Sequence, residues 1–239
     1  MALRWSIYAP DRFAAINADS AVPPCELDLP MLTNLKPMPV FLRHDAAHTG
    51  TPLKEVKAFE TQAKKVDVNL CLVGLGANGD EDNRKVEAFQ TSLSGARRDL
   101  YARQLEFASN DPQVNRRAWL RIDEYDNRNN PNFEMRLHQP NGKEKGAVIE
   151  TKKLHLYPAT IDAKIEENTI QIKTSRVGSL TVFLSRCMFD QEKAVVIIAN
   201  KQTICSKKFA PTLEFMLEEA RRSGRRDRVY ATAYSFRVR

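Results

Sequence analysis

No run of about 18 consecutive apolar residues occurs in this chain, so the sequence offers no candidate transmembrane helix. The opening residues, Met1-Ala2-Leu3-Arg4-Trp5, do not begin the charged, apolar, small-residue succession of a secretory leader. A cytoplasmic setting is therefore the default expectation. Cysteine is scarce. Cys25, Cys71, Cys187 and Cys205 are scattered and form no CxxC pair, which argues against a metal cluster or a redox dithiol. Cys71 and Cys205 fall in apolar, strand-like runs, where a reduced buried thiol is the simplest reading. Neither a metal nor a cofactor is expected.

The 239 residues are 42% hydrophobic, with a mean hydropathy of -0.47, enough to bury the core of one large domain or two small ones. The formal net charge is +7 and the pI about 9.3. Part of the excess gathers near the end, at Arg221, Arg222, Arg225, Arg226, Arg228, Arg237 and Arg239. No nucleic-acid motif and no regular aromatic interleaving accompany this cluster, so it reads as a solvated face rather than a nucleic-acid interface.

Periodicity divides the chain near residue 110. In 1–110 helix and strand signals alternate. A helix over 2–8 is stopped by Ala9-Pro10, because a residue before proline disfavours the helical region. A short strand over 13–17 and a loop rich in proline and acid over 20–39 follow. Val40-Phe41-Leu42 is continuously apolar, as in a strand covered on both faces. Val56, Phe59 and Ala63 recur at helical spacing, predicting a helix over 53–66. A buried strand is expected over 68–75, and a helix over 83–107 from Val86, Phe89, Leu93 and Leu100, with Gly95 as a kink or division.

In 111–239 the period becomes two. Strands are expected over 118–125, 133–138, 147–157, 161–165, 169–174, 179–184, 194–199 and 230–238, with turns at Asn141-Gly142 and Glu167-Asn168. One helix, over 211–222, has Pro211 at its start and Gly224 as its stop. The expected class is α/β followed by mainly β: a partial parallel sheet with flanking helices, then an antiparallel β-sandwich-like domain with one helix.

His44-Asp45-Ala46-Ala47-His48 has the spacing of HExxH, with aspartate replacing the glutamate. That motif binds zinc because a helix places both imidazoles on one face. Here the preceding residues read as strand, and Thr49-Gly50-Thr51-Pro52 would break a helix within a turn. No later histidine stands at the short distance a third ligand needs. The spacing is read as coincidence.

Ala9-Pro10-Asp11-Arg12-Phe13-Ala14-Ala15, the stretch from Pro39 to Pro52, and Gly74-Leu75-Gly76-Ala77-Asn78-Gly79 together resemble the C-terminal half of an α/β-hydrolase catalytic domain. The branch is that of esterases and prolyl-oligopeptidase-like enzymes, and the resemblance covers roughly the first hundred residues. The β-rich remainder is similar to a strand domain appended to some hydrolases of this branch. The resemblance implies that 44–48 belong to the acid loop, with Asp45 where glycine is usual and His48 at the acid position. It also implies that the Gly-rich turn is the histidine loop, with Asn78 as the nearest counterpart of the catalytic histidine.

No GxSxG occurs, so the nucleophile elbow is missing, and the chain starts after the place the family gives it. Neither His48 nor Asn78 fits a Ser-Asp-His relay, since asparagine cannot accept a proton near neutral pH. Asp45 is the remaining carboxylate. Ser6 and Ser20 are hydroxyls that nothing marks as activated, and His138 and His155 fall on strand-like segments of the other half.

The expectation is a remnant or fragment of a serine hydrolase, not catalytic as this chain. Equally, the sequence is compatible with the tail of a longer gene product whose start is misplaced. The alternative is a binding or structural module whose β-sandwich contacts a protein or polysaccharide, or which self-associates through an exposed sheet edge.

Overall fold

The computed structural model describes residues 2–19, 28–36, 38–44, 52–74, 79–128, 131–138, 148–155, 157–224 and 229–238. The protein is mixed α/β with more strand than helix, arranged in several sheets, and the described residues form no closed barrel.

The first layer is a parallel sheet of order β1-β2-β3, formed by Ile16–Asp19, Val40–His44 and Leu70–Gly74. Side chains alternate across β2. Val40 and Leu42 enter a buried cluster with Leu3 and Ile7 of helix α1 (Ala2–Tyr8) and Phe59 and Ala63 of helix α2 (Leu53–Lys65). Phe41 points to the other face, where its ring lies 5.7 Å from Phe89 of helix α3 (Gly79–Gly95). A strand apolar at consecutive positions is thus covered from both sides. The proline-rich stretch is less of a loop than its composition suggests. Leu29–Leu35 winds as a 3-10 helix and buries Met31, Leu32, Asn34 and Leu35.

Three expectations differ from the structure. The strand expected over 13–17 is β1, displaced to Ile16–Asp19, because Pro10–Arg12 forms a 3-10 turn that Phe13 ends. The buried strand expected over 68–75 is Leu70–Gly74, whose residues are half-buried apart from Val73. The helix expected over 83–107 ends at Gly95, the residue least suited to a helix interior after proline, and Gln104–Ser109 is instead strand β4.

β4 is the edge of a five-stranded sheet of order β13-β12-β10-β9-β4, built with β9 (Ala159–Glu166), β10 (Thr169–Ser175), β12 (Val195–Ala199) and β13 (Gln202–Lys207). β9 alternates strictly, with Ala159, Ile161, Ala163 and Ile165 buried and the residues between them exposed. A four-stranded sheet of order β14-β11-β6-β5 comprises β5 (Arg116–Arg117), β6 (Leu120–Tyr125), β11 (Val177–Leu184) and β14 (Thr232–Arg237). Residues of both sheets form one buried cluster around Trp119, Ile122, Ile170, Leu180 and Ile197.

The pairing is not antiparallel throughout. β10 and β12 are parallel, because the intervening β11 lies in the other sheet. Helix α4 (Leu213–Ser223) lies against the four-stranded sheet, where Phe215 approaches Phe183 at 6.5 Å and Arg116 pairs with Glu219 at 2.7 Å. Thr212 caps it through Phe215 N, and Gly224 stops it in the left-handed conformation, φ 62°. β7 (Asn132–His138) and β8 (Val148–His155) form a separate two-stranded ladder.

The two buried clusters meet at β4. Leu105 and Phe107 point into the cluster between the larger sheets, whereas Ala108, one pleat away, joins that of the parallel sheet. Asn34 closes this seam and is fully buried. Its Nδ2 donates to Ile7 O at 2.8 Å and Ala108 O at 2.7 Å, and its Oδ1 accepts from Ala108 N at 2.9 Å.

Candidate functional site

In a parallel sheet the strands end together, and ligands gather outside their carboxyl ends. His44 is the last residue of the middle strand β2, paired in register with Gly74 of β3. It is only 3% exposed, and neither ring nitrogen has a hydrogen-bond partner among the described residues. Beside it, Arg43 and Asp19 form an exposed ion pair at 3.3 Å.

Of the other sequence candidates, Asp45, His48, Asn78 and Ser20 lie outside the described residues. So does the turn at Asn141-Gly142. Ser6 is buried in α1, where its Oγ donates to Ala2 O at 2.8 Å, a helix back-bond rather than an activated nucleophile. His138 and His155 belong to the β7–β8 ladder, opposite Val148 and Asn132. In the basic cluster, Arg221 and Arg222 are both held by Glu218, at 2.8 and 2.6 Å. Arg225, Arg226, Arg228 and Arg239 are outside the described residues. No group of three or more His, Cys, Asp or Glu side chains among the described residues could hold a metal. No helix among them is long and apolar enough to cross a membrane.

The sequence reading missed a second place. A cleft of about 350 Å3 opens at the seam between the parallel sheet and the β-rich part. The Pro10-Asp11-Arg12-Phe13-Ala14 stretch, which carries part of the hydrolase resemblance, contributes Pro10, Asp11, Phe13 and Ala14 to its wall. Lys36, Arg97, Arg98 and Arg117 face Asp11, Asp99 and Glu106 around it, four cations against three carboxylates.

Two of those carboxylates are internally engaged. Glu106 accepts from Lys36 Nζ at 2.6 Å and Thr33 Oγ1 at 2.7 Å. Burial alone would raise its pKa, but these bonds outweigh it and hold the carboxyl below its ordinary range. Both oxygens of Asp11 accept from Ala118 N, at 2.8 and 2.9 Å. That amide belongs to the β5–β6 turn, where Ala118 has φ 46°, a left-handed conformation costly for any residue with a Cβ. Asp11 therefore anchors a strained turn, and the neighbouring residue is Arg117.

Arg117 is only 5% exposed. Its Nη1 donates to Asn34 O at 2.9 Å. Desolvation pulls its pKa down to about 10, against the opposing attraction of Asp11 and Glu106, so it remains charged at neutral pH. The cleft wall thus combines this buried, charged arginine with the apolar side chains of Phe13, Met38, Leu100 and Leu105.

Only the separations in sequence hid this arrangement. Asp11 and Ala118 are 107 residues apart, and no local motif links them. No protein-family model, no curated protein and no solved structure matches this chain.

Proposed function

We propose that this chain is an α/β-hydrolase-like unit, residues 1–110, joined to a β-sandwich-like unit, residues 111–239, and that it binds a ligand or partner rather than cleaving one. One observation carries the reading. The strands before the two loops that the resemblance assigns to acid and histidine are parallel neighbours, with His44 opposite Gly74 at their carboxyl ends. That is the placement a hydrolase acid loop and histidine loop require if they are to meet.

The residues that the resemblance assigns to those loops do not make a relay. The chain contains no GxSxG, and the acid and histidine positions hold His48 and Asn78. The shared cluster of the larger sheets supports the sandwich-like description of the second unit.

The reading is tested by assaying the purified chain against a panel of nitrophenyl esters of increasing acyl length. No turnover above buffer is expected at any chain length. Turnover that scales with protein concentration, and is lost when His48 and Asn78 are both replaced by alanine, contradicts it.

A further inference from the structure

We propose that the cleft at the seam binds a small carboxylate with an apolar body, its carboxylate held by the Arg117 guanidinium and its body resting on Phe13, Met38 and Leu105. The inference stands apart from the hydrolase reading, because it uses none of the residues at the ends of the parallel strands.

Three features argue for it. First, the volume of about 350 Å3 lies at the small end of ligand pockets, which run from about 300 to 1,000 Å3, and the lining combines apolar side chains with a few fixed polar groups. Second, the wall carries one more cation than carboxylates, which suits a monoanion. Asp11 and Glu106, close enough to act on the Arg117 charge, would repel a more highly charged ligand.

Third, Arg117 is held at a cost. Burial works against its charge, and the adjoining turn keeps Ala118 in a left-handed conformation through Asp11. A backbone strained in this way persists where the surrounding structure fixes it, and such places cluster at ligand sites. A guanidinium is a planar fork matched to the two oxygens of a carboxylate, and a rigid, desolvated one strengthens that match.

The test uses the full chain, labelled with nitrogen-15 and titrated with benzoate, with benzyl alcohol as the neutral counterpart and inorganic phosphate as the competing anion. Benzoate is expected to shift the Leu105 and Ala118 amides and the Arg117 side-chain signal saturably at millimolar concentration, whereas benzyl alcohol leaves them in place. Arg117→Lys, which keeps the charge and loses the fork, is expected to weaken benzoate about tenfold. If that variant does not fold, the comparison of benzoate with benzyl alcohol on the unaltered chain still decides. The proposal is overturned if benzoate moves none of these signals, if benzyl alcohol moves them equally, or if phosphate saturates the site in preference to benzoate.

Discussion

Replacing Asn34 by leucine removes the polar clasp between the two buried clusters while keeping nearly the same side-chain volume. Three hydrogen bonds are lost together, from Nδ2 to Ile7 O and Ala108 O and from Ala108 N to Oδ1. All three backbone groups stay in the interior, because Asn34 itself is 0% exposed and Ile7 and Ala108 are buried. Leaving a buried polar group unsatisfied costs about 1–3 kcal/mol, and relaxation recovers part of that, so the variant should lose about 3–5 kcal/mol. That is a large share of a total of about 5–15 kcal/mol.

Urea unfolding followed by tryptophan fluorescence measures it, and the two tryptophans separate the two parts. Trp119 is fully buried between the larger sheets, whereas Trp5 lies half-exposed on α1. In a Trp5→Phe background the Trp119 signal alone should move to a lower midpoint at an unchanged slope, because β4 belongs to both clusters. A loss below about 1 kcal/mol would refute the reasoning, since that is the net value of a single hydrogen bond. A Trp119 midpoint that stays in place would show that the clasp does not couple the halves. Asn34→Asp offers a control. It keeps one acceptor for Ala108 N but turns a carboxylate toward two carbonyls, so its destabilisation should ease as the pH falls and the carboxyl becomes a donor.

Three further outcomes are expected. His44→Leu should be neutral or stabilising by up to about 1 kcal/mol in the same urea assay, since an imidazole without partners among the described residues is replaced by an apolar group; a loss above about 2 kcal/mol would mean that the ring is bonded. Gly224→Ala should cost about 1 kcal/mol through backbone strain alone, because φ is 62° and an added Cβ would meet nothing within 4 Å, and calorimetry showing no loss would contradict this. Glu106→Gln should destabilise at neutral pH and do so progressively less in acid. The folded-state pKa of Glu106 lies below its ordinary 4.5, so its contribution is present above that value and is lost as the pH falls through the folded pKa. A difference between Glu106→Gln and the unaltered chain that stays constant from neutral pH to acid would exclude this role.

Most elements were legible where burial imposed a period. β9 alternates because one face meets the core, and α2 shows its apolar stripe for the same reason. β4 was hidden because Phe107 continues a rough helical spacing after Leu93 and Leu100, and only pairing with β9, fifty or more residues away, makes Gln104–Ser109 a strand. β13 showed in the sequence only as a strand-like run at Cys205 and its bounds were not anticipated, because it is an edge strand with two half-buried residues and no alternation to read. The buried 3-10 helix at Leu29–Leu35 was masked by the proline and acid around it. His44 stood in a motif whose spacing was read as coincidence, so its burial at the strand end was not foreseen. Nor was the cleft, since Asp11, Glu106 and Arg117 converge only after both halves have folded.

The proposal that residues 1–110 form a hydrolase-like unit without a working nucleophile has a direct test. Incubating the full chain with a reactive fluorophosphonate, which modifies activated serines, and weighing the intact protein tests it most directly. An unmodified mass is expected after prolonged exposure. A stoichiometric adduct on one serine, formed by folded protein and abolished by denaturation, would contradict it.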